Sequence, residues 1–119
     1  MEALGVQILM ECYDCDRALL DDPDRIQVTM REAALKGGAH IVNEAFHQFA
    51  PQGVSGVLVI AESHLSVHTW PEHGYAAIDI FTCGDRVDIW AIKTHLELAL
   101  QSQRISVTEL RRGLIQPNA

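Results

Sequence analysis

Residues 64–70 alternate without a break, with His64, Ser66, His68 and Trp70 on one side and Leu65, Val67 and Thr69 on the other. A period of two is the mark of a strand with one face buried and one presented. The neighbouring segments are strand-like too. Val54 to Ala61 is apolar and β-branched, Tyr75 to Cys83 reads as another strand, and Ala39 to Phe49 reads as a further one. Pro51-Gln52-Gly53 and Pro71 to Gly74 supply turns between them. Four consecutive strands favour an antiparallel sheet.

The remaining segments complete the layers. Gly5 to Tyr13 reads as a first strand. Asp22-Pro23 gives a helix start, with Ile26, Met30, Ala33 and Ala34 at helical spacing and Gly37-Gly38 as the stop. Asp85 or Asp88 caps a second helix, whose stripe is Ile89, Ile92, Leu96, Ala99 and Leu100. Ile105 to Leu110 is a last strand, and the tail after Leu114 is expected to fray. The order β-α-β-β-β-β-α-β predicts an α/β fold of the α+β type. It is a two-layer sandwich, a mainly antiparallel sheet with two helices on one face, in a single domain over residues 1–119. A 119-residue domain hides only about two thirds of its unfolded surface. A deep private pocket is hard to build in one copy, so a site shared between subunits fits this size.

Charge narrows the partners. The net charge is −7, and the nine basic residues are scattered. With no basic patch, no nucleic-acid partner is expected. No stretch reaches the ~20 apolar residues of a membrane helix, so no membrane partner is expected either. The N-terminus MEALGVQILMEC lacks the basic start of a signal peptide. The three cysteines, Cys12, Cys15 and Cys83, do not suggest a disulfide framework. The expected location is cytoplasmic.

Several chemistries lack their residues. There is no Gly-rich phosphate loop and no Gly-x-Ser-x-Gly elbow. Lys36 and Lys93 both fall on predicted helices, which argues against pyridoxal phosphate. Cys12-Tyr-Asp-Cys15 has redox-motif spacing, but it ends a strand rather than opening a helix, and reads as two ordinary thiols. His64 and His68 share a strand face with His73 in the next turn, yet residues four apart on a strand stand roughly 13 Å from each other. No metal is expected there.

Polar and titratable groups crowd into AESHLSVHTWPEHGYAAIDIFTCGD, residues 61–85, within an otherwise apolar sheet. Taken alone, Ser63 reads as a turn serine and Cys83 as a structural thiol. Taken together, ESHLSVHTWPEHGYAAIDIFTCGD resembles the signature of the short prokaryotic S-adenosylmethionine decarboxylases, self-processing and pyruvoyl-dependent. The resemblance runs from about Leu4 to Leu110 and includes HQFAPQGVSGVLVI ahead of the signature.

The resemblance implies a proenzyme that cuts itself between Glu62 and Ser63 into a beta chain, 1–62, and an alpha chain, 63–119. Ser63 Oγ attacks the Glu62 carbonyl and turns the amide into an ester, as only a hydroxyl or thiol side chain can. β-Elimination then frees Glu62, and residue 63 loses ammonia to become a pyruvoyl group. By the same resemblance His68 is the processing base, Ser55 assists by hydrogen bonding, and Cys83 is the proton donor in decarboxylation. The pyruvoyl cofactor, formed from Ser63, holds the substrate's amino group as a Schiff base. Phe49 and Trp70 match aromatic positions that suit a sulfonium and an adenine, and Glu72 suits a ribose diol. The implied substrate is S-adenosylmethionine, whose decarboxylation supplies aminopropyl groups for spermidine. The implied assembly is a homodimer with sites near the subunit interface. Two alternatives stay open: the same machinery acting on arginine or ornithine, and a binding homologue that never processes.

Overall fold

The computed structural model describes residues 2–83 and 85–116. The chain runs β1 (Glu2–Tyr13), α1 (Arg17–Leu20), α2 (Pro23–Lys36), β2 (Ile41–Gln48), β3 (Val54–Ile60), β4 (Ser63–Trp70), β5 (Tyr75–Cys83), α3 (Ile89–Ala99) and β6 (Arg104–Ile115). A single 3₁₀ turn, Pro71–His73, joins β4 to β5. The six strands form one sheet in the order β2-β3-β4-β5-β1-β6. Every neighbouring pair is antiparallel.

The alternation seen in the sequence decides which face is covered. Leu65, Val67 and Thr69 of β4 are buried, as are Ala76, Ile78 and Ile80 of β5 and Ile8, Met10 and Cys12 of β1. All of these but Thr69 share one apolar core with Leu19 and Leu20 of α1, Ile26, Met30, Ala33 and Ala34 of α2, and Ile92 and Leu96 of α3. This is the predicted two-layer sandwich. The opposite face is left open by the chain's own helices. His68 and Trp70 are exposed there, and His64 and Ser66 are half-buried.

Helix termini follow the predicted chemistry. The Asp22 carboxylate accepts from the N–H groups of Asp24 and Arg25, and Pro23 takes the first helical position. Of the two candidate caps for α3, Asp88 is the one used, accepting from Ala91 N–H at 3.1 Å.

One element and several boundaries differ from the sequence reading. A short helix, α1, precedes Pro23, capped by Asp16; its four residues are too few to show a helical period. β1 starts at Glu2, and β2 is trimmed to Ile41–Gln48. β6 extends from Arg104 to Ile115, beyond both the predicted end at Leu110 and the expected onset of fraying. Its register with β1 explains this, since Ile115 still pairs with Glu2 and Leu114 with Ala3. The expected frayed tail from residue 117 onward lies outside the described residues. Among the described residues no helix is long and apolar enough to cross a membrane.

Candidate active site

β3 and β4 are joined by the two-residue turn Ala61-Glu62, with Ile60 paired to Ser63 across it. Ser63 has φ +147°, a backbone conformation that side-chain-bearing residues rarely adopt. Such a conformation costs on the order of 1–3 kcal/mol and persists only where its surroundings hold it. Here they do. The Glu62 carbonyl oxygen accepts from the backbone N–H of Cys83 at 2.9 Å. Ser63 also pairs with Thr82 of β5. The Glu62 side chain is buried, and its carboxylate meets His40 twice, at 3.2 Å to the backbone N–H and 3.0 Å to Nδ1. These hydrogen bonds, the His40 side chain first, hold the Glu62 carboxyl below the ordinary carboxylate value.

Cys83 ends β5 opposite Gly5 of β1 and is exposed. It borders a shallow cleft of about 270 Å³ with Phe81 and Arg112. The Arg112 guanidinium lies 5.3 Å from the Phe81 ring centre and donates to Gln7 at 3.2 Å. Gly5 leaves room for the Phe81 ring, because a Cβ there would stand 2.7 Å from it.

A second group gathers at the other end of the β3–β4 ladder. Ser55 pairs with His68, and Ser55 Oγ lies 2.7 Å from His68 Nδ1. If Nδ1–H donates to the serine oxygen, Nε2 is the free base. Phe49, Ser55, His68, Trp70 and Glu72 line one cleft of about 300 Å³. The loop that carries Phe49 is closed by its N–H donating to Gly53 C=O at 2.8 Å. Gly53 has φ +105°, and a Cβ there would stand 3.1 Å from the Thr69 carbonyl. Asp21 accepts from Gly53 N–H at 2.9 Å. Below the cleft, Thr69 Oγ1 accepts from Val54 N–H at 2.9 Å and donates to Leu20 C=O at 2.7 Å. The floor and rim are therefore tied to the helical layer. Glu72 sits on the 3₁₀ turn that Gly74 ends in the left-handed conformation, φ +60°.

The predicted residues thus fall into two groups. Phe49, Ser55, His68, Trp70 and Glu72 come together, and so do Glu62, Ser63 and Cys83. One chain does not unite the groups. Ser63 and His68 lie five positions apart on the same strand, a rise of roughly 16 Å. Sequence reading missed His40 and Arg112, which lie outside the signature and carry no motif. It also missed the aromatic row beside the cleft. Trp70, Tyr75 and Tyr13 follow one another at ring-centre spacings of 5.3 and 5.4 Å, and Arg104 lies 4.3 Å from the Tyr13 ring centre.

The C-x-x-C thiols behave as buried side chains. Burial pushes Cys12 up to about 12 and raises Cys15 as well. Among the described residues no group of three His, Cys, Asp or Glu is arranged to hold a metal ion.

The model of the S-adenosylmethionine decarboxylase family matches residues 6–113. The S-adenosylmethionine decarboxylase proenzyme of Thermosipho africanus is 55% identical over 113 residues, covering 95% of this chain and 87% of the relative. That of Thermotoga maritima is 53% identical over the same shares. The crystal structure of the adenosylmethionine decarboxylase from Aquifex aeolicus VF5 superposes with a TM-score of 0.93 at 31% identity, covering 100% of this chain and 98% of that one.

Proposed function

The chain belongs to the S-adenosylmethionine decarboxylase family, and from that premise we propose that it is a proenzyme that cuts itself between Glu62 and Ser63. The processed enzyme decarboxylates S-adenosylmethionine and so supplies aminopropyl groups for spermidine. One observation carries the cleavage site. The Glu62–Ser63 peptide has its carbonyl held by an N–H donor, and its serine sits at φ +147°.

Ser63 Oγ attacks the Glu62 carbonyl carbon. Negative charge builds on the carbonyl oxygen, where the Cys83 N–H already donates. The C–N bond breaks as the Ser63 nitrogen takes a proton, and an ester joins the two residues. Release from the +147° conformation favours this step. A base then removes the Ser63 α-proton, the Cβ–Oγ bond breaks, and Glu62 leaves as a carboxylate. The enamine left at position 63 tautomerises, and water hydrolyses it to a pyruvoyl group and ammonia. The products are chains 1–62 and 63–119.

His68 is the base, and Ser55 orients its imidazole through the 2.7 Å contact. The roughly 16 Å between His68 and Ser63 along β4 supports a homodimer in which His68 of the partner subunit serves Ser63. A two-fold axis over the middle of the β3–β4 hairpin would lay the Ser55–His68 end of one copy against the Ser63–Cys83 end of the other. The open sheet face is free to take part in that pairing.

The pyruvoyl group supplies the electron sink for loss of CO₂. Cys83 Sγ then delivers the proton to the substrate carbon that has lost CO₂. Phe49 and Trp70 flank a cleft suited to a sulfonium and an adenine ring. Glu72 on its rim accepts from the ribose hydroxyls. The three free thiols suit a reducing, cytoplasmic compartment. The test is release of CO₂ from S-adenosylmethionine, arginine and ornithine by the processed protein. S-adenosylmethionine should be preferred by orders of magnitude. Faster release from arginine or ornithine would overturn the substrate assignment.

A further inference from the structure

We infer that His40 is a positioning residue for self-cleavage, acting on the scissile peptide through the Glu62 side chain. The inference rests on cleavage at Glu62–Ser63 as proposed above.

Three contacts join His40 to the turn. Its carbonyl accepts from Ala61 N–H at 2.8 Å, its N–H donates to Glu62 Oε1 at 3.2 Å, and its Nδ1 lies 3.0 Å from Glu62 Oε2. An ionised carboxylate only accepts, so Nδ1 carries the proton in this contact. His40 stands just before β2, where Ile41 makes the last pairing with Ile60. The paired residues end there, and beyond them the chain ahead of β2 can reach Ala61 and Glu62 only through residue 40. His40 supplies the restraint from that side. On the other side Cys83 N–H holds the Glu62 carbonyl at 2.9 Å. Glu62 is therefore fixed through its side chain from one neighbour and through its carbonyl from the other. Rotation of the Glu62–Ser63 peptide plane would have to break one of these. A carbonyl kept in a single orientation meets Ser63 Oγ in a reactive geometry for a larger share of the time. The His40 ring itself is 77% exposed while the Glu62 side chain is 8% exposed. The histidine thus acts as a cover over a buried carboxylate and packs little of the core, which separates its role from general stability.

The experiment compares cleavage rates of freshly made precursor for wild type, His40→Ala and His40→Asn, each alone and with Glu62→Ala. Asparagine carries its amide nitrogen at the branch point where histidine carries Nδ1, so it restores the donor without a titrating ring. His40→Ala should slow cleavage on the order of tenfold. His40→Asn should recover most of the rate. In the Glu62→Ala background His40→Ala should add nothing, because the two substitutions break the same link. Turnover per processed site should match wild type in all His40 variants. Wild-type cleavage speed in His40→Ala overturns the inference. So does an undiminished His40→Ala effect on top of Glu62→Ala, or a His40→Asn variant as slow as His40→Ala. A wild-type chain that stays whole overturns the self-cleavage reading itself and is distinguishable from all of these.

Discussion

The backbone N–H of Cys83 donates to the carbonyl oxygen of Glu62 at 2.9 Å, so one residue contributes its main chain to the Glu62–Ser63 peptide and its side chain to the adjoining cleft. The two contributions separate on mutation. Cys83→Ala keeps the N–H and should still cleave. Its turnover should fall by about 10²–10⁴, the usual cost of losing a general acid. Chain analysis on gels and CO₂ release from the same sample check both halves. Normal turnover would remove the thiol from the mechanism, and failure to cleave would show that processing needs it.

The 2.7 Å Ser55–His68 pair and the Ser63 turn occupy opposite ends of β4. If the partner's imidazole serves each serine, one defective chain should be rescued by another that keeps its imidazole. A tagged His68→Ala subunit, stalled alone with a hydroxylamine-sensitive ester, should complete cleavage when co-expressed with Ser63→Ala. Purified mixed dimers in which the tagged subunit stays stalled would contradict a shared site.

The φ of +147° at Ser63 gives a stability test free of catalysis. Ser63→Gly and Ser63→Ala both remove the nucleophile, and only glycine relaxes the backbone. Glycine also costs unfolded-state entropy, which offsets part of the gain. The glycine precursor should be more stable than the alanine precursor by about 1 kcal/mol in urea unfolding. Equal or reversed stabilities would mean that the turn is not strained.

Much of this was legible in the sequence because it is local. The period-two pattern of β4 assigns His64, Ser66, His68 and Trp70 to one face, and that is where they are found. The Asp22-Pro23 start needs only neighbouring residues. What was not legible depends on distance. His40 meets Glu62 from 22 positions away, beyond any motif. The signature also places Ser63 and His68 side by side as text, whereas strand rise sets them far apart within one chain. α1 escaped notice because four residues carry too little periodicity.

Glu72 stands on the 3₁₀ turn at the rim of the cleft that holds Trp70 and Phe49. Glu72→Gln keeps the shape and loses the charge and half of the acceptor capacity. KM for S-adenosylmethionine should rise about tenfold or more, with self-cleavage intact. An unchanged KM would detach Glu72 from the ribose.

Intact-mass analysis of the purified protein after incubation at working temperature bears most directly on the central claim. Two chains are predicted, 1–62 and 63–119, with the second lacking a free amino terminus and carrying a carbonyl that reacts with hydrazide. Ser63→Ala should remain one chain under the same conditions. A single full-length wild-type chain, or cleavage at any other bond, would contradict the account.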